Sequence, residues 1–224
     1  AGTTITFSLS GTDSGDFAID SSSGAITFNS APDFETPGSG ASSNAYSLNV
    51  VASDGTNTDT EAIVVNVTDA NDNSPVLSVA TPYSVVEGVT TVGTVTASDA
   101  DAGTTITFSL SGTDAADFAI DSSSGAITFN SAPDFETPGS VANSNAYSLN
   151  VVASDGTNTD TEAIVVNVTN ENDNTPAFTS DSSFSIAEGT DSVATLTGSD
   201  ADLTTPTFST TLAGDDAGDF TLTS

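Results

Sequence analysis

The chain has 224 residues, no Lys, Arg or His, and 31 Asp and Glu, for a formal net charge of −31. That charge argues against nucleic acid and anionic membrane surfaces as partners, and no apolar run approaches the roughly 18 residues of a membrane span. Cys and Met are absent too, so disulfides cannot stiffen the chain or report its redox compartment. A charge this high with few aromatics ordinarily favours disorder. Against that, 36% of residues are hydrophobic and they alternate regularly, which points to a fold whose order depends on cations. The chain begins at Ala1, inside a repeat and with no visible signal peptide, as expected of a processed product or a window on something longer.

The predicted elements are strands with a period of two. Ile5, Phe7 and Leu9 alternate with Thr and Ser. So do Phe17 and Ile19, then Ile26 and Phe28, then Tyr46, Leu48 and Val50, then Ile63, Val65 and Val67. Turn signals separate them at residues 20–24, at Pro37-Gly38 and at Asp54-Gly55. No stretch has a persuasive helical period. The same series then returns. Residues 1–71 align without a gap with 102–172 and differ only at positions 14, 15, 40, 42, 69 and 70. Residues 75–101 align more loosely with 176–202.

The boundary falls in a linker, Asp69-Ala70-Asn71-Asp72-Asn73-Ser74-Pro75, which recurs as Asn170-Glu171-Asn172-Asp173-Asn174-Thr175-Pro176. Pro cannot continue a sheet ladder and sets the preceding residue extended. Three segments follow: a partial repeat with the closing strands (1–74), a complete repeat (75–175) and a partial repeat with the opening strands (176–224). A period near 100 residues suits whole domains rather than solenoid units. The complete repeat is expected to carry strands near 83–87, 92–98, 105–111, 117–120, 126–130, 145–154 and 162–169. The predicted class is all-β: tandem seven-stranded Greek-key β-sandwiches of immunoglobulin-like type.

Acidic and amide side chains gather at the linkers, and the chain offers only oxygen donors. Imidazole- and thiolate-based zinc sites are excluded. A hard cation such as Ca²⁺ takes six to eight oxygens at roughly 2.3–2.6 Å. EF-hand loops are excluded, because no helices flank these segments and the twelfth positions counted from Asp69 and Asp99 are Ala80 and Leu110. Asn-Asp clusters also form ordinary solvated turns, but four spaced motifs in register favour metal.

Those motifs carry a resemblance. Asp-x-Asn-Asp-Asn-x-Pro at a domain end, Asp99-x-Asp101 in the next domain, Asp33-x-Glu35 in mid-domain and Ala52-Ser53-Asp54 before Gly55 resemble the calcium motifs of cadherin repeats. Asp16-Phe17-Ala18-Ile19-Asp20 followed by Gly24-Ala25-Ile26 is similar to that family as well. The resemblance covers the whole chain and implies Ca²⁺ at each joint, in a bacterial-type extracellular array. For the first joint it implies Asp33, Glu35, Asp69, Asn71, Asp72, Asn73, Asp99, Asp101 and Asp155 as ligands. For the second it implies Glu87, Asp134, Glu136, Asn172, Asp173, Asn174, Asp200 and Asp202. Asn170 departs from the pattern: one ligand charge is lost, or Glu171 substitutes.

Two like charges about 4 Å apart repel by roughly 4 kcal/mol at an effective dielectric of 20, and seven or eight such groups rival a typical domain stability of about 5–15 kcal/mol. The expected behaviour is a flexible chain of domains without Ca²⁺ and a stiff rod with it. The expected function is structural and adhesive, at the cell surface or outside the cell, with neighbouring identical repeats as partners. A sharper expectation is head-to-tail strand complementation, in which 176–224 of one copy completes 1–70 of another and Glu188 and Asp54 supply missing ligands in trans; its alternative is an arbitrary window on a longer array. The rival function is a calcium-dependent glycan- or protein-binding adhesin. Catalysis is not expected, because no His, Cys or Lys is present to act as base or nucleophile. The sequons at Asn66 and Asn167 carry little weight, since both fall within predicted strands.

Overall fold

The structure is a computed structural model and describes residues 4–202, 217–219 and 221. It is all-β apart from three single-turn 3₁₀ segments. Strands expected after Asp202 in the last repeat lie outside the described residues. In chain order the first strands are β1 (Thr6–Ser10), β2 (Phe17–Ile19), β3 (Ile26–Phe28), β4 (Ala45–Ser53) and β5 (Thr58–Asn66). Then come β6 (Val76–Ser78), β7 (Tyr83–Val86), β8 (Thr91–Thr94), β9 (Thr96–Ser98), β10 (Thr107–Ser111), β11 (Phe118–Ile120) and β12 (Ala126–Phe129). The last are β13 (Ala146–Ser154), β14 (Thr159–Thr169), β15 (Ala177–Phe178) and β16 (Gly198–Ser199).

The chain divides into two compact units. Unit 1 comprises residues 1–77, 97–107 and 152–161; unit 2 comprises 78–96, 108–151 and 162–224. In unit 1, β1, β4 and β5 form an antiparallel sheet and β2 pairs with β3. The alternating apolar residues meet between them: Phe17, Tyr46 and Leu48 are buried, with Leu9, Ile26, Phe28, Ile63, Val65 and Val67 packed against them. The Phe17 and Phe28 ring centroids lie 4.3 Å apart, and Tyr46 sits edge-on to both.

In unit 2 the strand order is β10-β13-β14-β7 in one sheet and β11-β12-β8 in another. That is seven strands in two layers. β7 joins β14 in parallel, with Val85 opposite Val168. The layers touch through the same aromatic triad, Phe118 and Phe129 against Tyr147, with centroids 5.2 to 5.6 Å apart in T-shaped contact. Edge-to-face geometry places the positive ring edge on the negative face of the neighbour. Ile127, Val151, Ile164 and Val166 are almost completely buried.

The expected strand at 92–98 is in fact two. β8 ends at Thr94 and belongs to the β11-β12 sheet, whereas β9 pairs with β6. Val95 stands at the break with no exposure, and its N–H donates to the Gly125 carbonyl at 3.0 Å. Gly125 has φ +71°, and a Cβ there would overlap the Val95 carbonyl oxygen, so glycine is required. A period-two pattern does not show a strand changing sheets, because the side chains keep alternating through the change.

Asp13 and Asp114, equivalent positions in the first two repeats, are also buried. Asp13 is 4% exposed and accepts the N–H groups of Gly40 at 2.7 Å and Ser47 at 2.6 Å. Asp114 does the same with Val141 and Ser148, at 2.8 and 2.6 Å. These charged hydrogen bonds tie a loop to a strand where no basic partner exists. Asp114→Ala removes the acceptor of the Val141 and Ser148 N–H groups and is expected to cost about 1–3 kcal/mol. A urea denaturation series on the full chain measures this; a loss below about 0.5 kcal/mol contradicts the assigned role.

Candidate metal centre

The first cluster is built within unit 1. Its linker turns tightly at Ala70, whose carbonyl accepts the Asp72 N–H at 2.9 Å, and ends on the buried Pro75. Asn158 fixes the turn by donating from Nδ2 to the Asn73 carbonyl at 2.7 Å, and Asp160 accepts the Leu77 N–H at 2.8 Å. Carboxylate oxygens of Glu35, Asp72 and Asp101 lie within 4.8 Å of one another, as do those of Asp99, Asp101 and Asp155. Asp101, 4% exposed, is shared by both groups. Its oxygens accept the Asn73 N–H at 3.0 Å and the Asn73 amide at 2.7 Å, while its own N–H donates to Asp99 at 3.0 Å.

Asn71 presents one end of its amide to Asp155 Oδ2 at 2.8 Å and Asp101 Oδ2 at 3.2 Å. With NH₂ at that end these are hydrogen bonds. With the amide oxygen there, three oxygens converge without a proton between them, which is the arrangement a hard cation stabilises. Three further carboxylate oxygens of the cluster, Glu35 Oε1, Asp69 Oδ1 and Asp99 Oδ2, are buried and have no hydrogen-bond donor. A buried anionic oxygen without a donor is costly. Hard cations held among these carboxylates would satisfy such oxygens, so the residues fit Ca²⁺. Asp69 Oδ2 accepts the Ala102 N–H at 2.7 Å. Asp33 is outside both groups: its Oδ1 accepts the Glu35 and Thr36 N–H groups at 3.0 Å and so orients Glu35.

The second cluster lies within unit 2. Carboxylate oxygens of Glu87, Asp134 and Glu136 come within 4.8 Å of one another, as do those of Glu136, Asp173 and Asp202. Glu87, 4% exposed, accepts the Phe135 N–H at 2.8 Å and the Glu171 N–H at 2.7 Å. Asn174 donates its backbone N–H to Asp202 at 2.8 Å, and its amide reaches Asp202, Asp173 and Glu136 at 2.7, 2.9 and 3.3 Å. Asp200 accepts the Asp202 N–H at 3.1 Å and is in neither group. Asn172 and Glu188 are exposed, Glu188 is outside the carboxylate groups, and Glu171 contributes its N–H rather than a ligating carboxylate. Asp54 binds its own turn, accepting the Thr56 and Asn57 N–H groups at 2.8 and 2.7 Å. Asn158 and Asp160 were not anticipated as linker supports. The turn Asp155-Gly156-Thr157-Asn158 was their only sequence signal.

The charges leave their mark on protonation. Desolvation, with Asp69 and Asp101 nearby, pushes the Glu35 carboxyl up. Desolvation and the charges of Glu87, Asp202 and Asp134 raise Glu136 and Asp173 in the same way. Burial also raises Asp155, but the Asn158 and Thr157 N–H groups outweigh it and hold its carboxyl below the usual range.

The geometry agrees with three comparisons. The family model of the cadherin domain matches residues 82–169. Those residues are a cadherin domain. Human Protocadherin Fat 4 is 35% identical over 183 residues, which is 78% of this chain and 3% of that protein. Mouse Cadherin EGF LAG seven-pass G-type receptor 2 is 37% identical over 146 residues, 61% of this chain and 5% of that protein. The chain thus spans only 3% to 5% of the length of these two relatives. Among solved structures, mouse Protocadherin-24 EC1-3 superposes with a TM-score of 0.68 at 26% identity, covering 89% of this chain and 67% of that one. Mouse Cadherin-23 EC22-24 gives 0.66 at 27% identity, covering 88% and 65%. Since 1–71 repeats 102–172 almost residue for residue, cadherin-type sequence extends beyond the matched segment.

Protonation makes a prediction for the chain in the absence of metal. Glu35, Glu136 and Asp173 bind protons more readily folded than unfolded, so their contribution to stability falls as pH rises from the ordinary carboxylate range through their raised values. Asp20, Asp54, Asp121 and Asp155 are depressed, and the N–H and hydroxyl groups of Ser23 and Ser124 and the N–H of Asn57 are the main causes for the first three. Their contribution is present above the ordinary values and is lost as pH falls through the depressed ones. In chelator, the melting temperature is expected to rise as pH falls from neutral into the ordinary carboxylate range and to fall again below that range. A steady fall from pH 7 downward contradicts the clustering.

Proposed function

We infer that this chain is a segment of an extracellular array of cadherin repeats in which Ca²⁺ at acidic joints couples one repeat to the next. The observation that carries this reading is the set of donorless buried oxygens of Glu35, Asp69 and Asp99 beside the Asn71 amide. In the first joint the ligands are Glu35, Asp69, Asn71, Asp72, Asp99, Asp101 and Asp155, with Asn73 through its carbonyl oxygens and Asp33 positioning Glu35. In the second they are Glu87, Asp134, Glu136, Asp173 and Asp202, with Asn172, Asn174 and Asp200 completing the set. Pro75 and Pro176 mark the ends of successive repeats at 74/75 and 175/176. No helix among the described residues is long and apolar enough to cross a membrane.

Calcium here is structural. It neutralises carboxylates that the chain has no basic side chain to pair, and it binds ligands from linker and flanking turns simultaneously, so binding free energy becomes joint stability. The partners are neighbouring repeats of the same kind, and the role is to hold an adhesive or structural array in a fixed arrangement. The sequence relatives and superposing structures named above all carry cadherin or protocadherin names, which supports the same setting.

The test uses a glutamate-specific protease, since trypsin finds no Lys or Arg. Cleavage after Glu35, Glu136 and Glu171 is expected to be rapid in chelator and suppressed in millimolar Ca²⁺, while Glu61, remote from both clusters, is cut alike in both. Equal cleavage at the joints with and without Ca²⁺ contradicts the reading. Asp101→Ala and Glu136→Ala each remove the carboxylate shared by both groups of one joint and are expected to weaken calcium binding there at least tenfold by calorimetry.

A further inference from the structure

The two joints repeat almost the same sequence, yet they satisfy their carboxylates differently. At the first, Glu35 Oε1 and Asp69 Oδ1 are buried without a donor. At the second, the equivalent glutamate has donors on both oxygens. Asn170 Nδ2 donates to Glu136 Oε1 at 3.0 Å and Asn174 Nδ2 to Glu136 Oε2 at 3.3 Å. The Asn170 amide also reaches the Asp202 carbonyl at 3.3 Å, so it bridges the mid-domain motif to the start of the next repeat. None of the donorless buried oxygens belongs to the second cluster among the described residues.

The chemistry of the exchange is simple. Aspartate at position 69 brings two acceptors and a charge; asparagine at position 170 brings one acceptor, two N–H donors and no charge. An NH₂ group placed between a carboxylate and a backbone carbonyl answers both oxygens as a cation would, without leaving when calcium is removed. We propose that Asn170 is a built-in stand-in for a cation, so that the second joint keeps its arrangement at calcium levels that release the first and binds calcium there more weakly. This rests on the calcium reading above. It gives the array a graded response: joints carrying aspartate at the first linker position loosen first as calcium falls, and joints carrying asparagine persist.

The test is a reciprocal exchange in the full chain, Asp69→Asn and Asn170→Asp, read by melting with and without Ca²⁺ and by calorimetric titration. Asn170→Asp removes the donor from Glu136 and adds a charge beside it. It is expected to lower the melting temperature in chelator and to raise calcium affinity at its joint about tenfold. Asp69→Asn is expected to raise the melting temperature in chelator and to weaken calcium binding at its joint. The opposite signs in chelator and calcium are diagnostic, because a purely structural substitution moves both melting temperatures the same way. Variants that shift both together, or leave the titration unchanged while the wild type binds calcium, overturn this inference alone. A wild type that binds no calcium overturns the calcium reading as well.

Discussion

A buried carboxylate must find a positive partner, and this chain contains no basic side chain to supply one. Every acidic group drawn into the structure is therefore answered by backbone N–H, by an amide, or by something from solution. Asp13 and Asp114 take the first route and are fully answered by two short N–H bonds each. Glu87 does likewise at the second joint. Asn73 and Asn174 serve Asp101 and Asp202 by the second route. What remains is concentrated at the first joint, where Glu35, Asp69 and Asp99 each keep an unanswered oxygen. The same absence of basic side chains leaves those oxygens to a partner from solution, which is the basis of the calcium reading proposed for the joints.

The folding pattern delivers those groups together. β-strands supply cores from alternating apolar residues, and turns between them collect the acids. The linker after β5, the Asp99-to-Asp101 turn after β9 and the Asp155 turn after β13 are far apart in sequence but converge on one cluster. Calcium binding at such a place cross-links three segments through one ion.

Much of this was legible in the residues. Oxygen-only donors excluded soft-metal chemistry; the resemblance implied Glu35, Asp72, Asp99, Asp101 and Asp155 as ligands of one joint, and their carboxylates fall in two groups that share Asp101. The strands were legible from their alternation. Other features depend on context that a pattern does not carry. Asp33 and Asp134 have identical neighbours in sequence, yet only Asp134 joins a cluster, because Glu87 reaches it from the end of β7. Val65 and Val166 sit in the same sequence, yet Val166 is completely buried and Val65 is not, since β14 pairs with β7 as well as β13. The sheet change at Val95 leaves the alternation intact and was invisible for that reason. Asn158 and Asp160 looked like ordinary turn and strand residues until their hydrogen bonds to Asn73 and Leu77 were seen.

The most direct measurement is a crystal structure grown in millimolar Ca²⁺. It should show ions within about 2.3–2.6 Å of oxygens from Glu35, Asp69, Asp99, Asp101 and Asp155, with the Asn71 amide oxygen, not its nitrogen, turned toward the metal. A structure in which the cluster holds only water, and the Asn71 nitrogen donates to Asp155 and Asp101, would contradict the account.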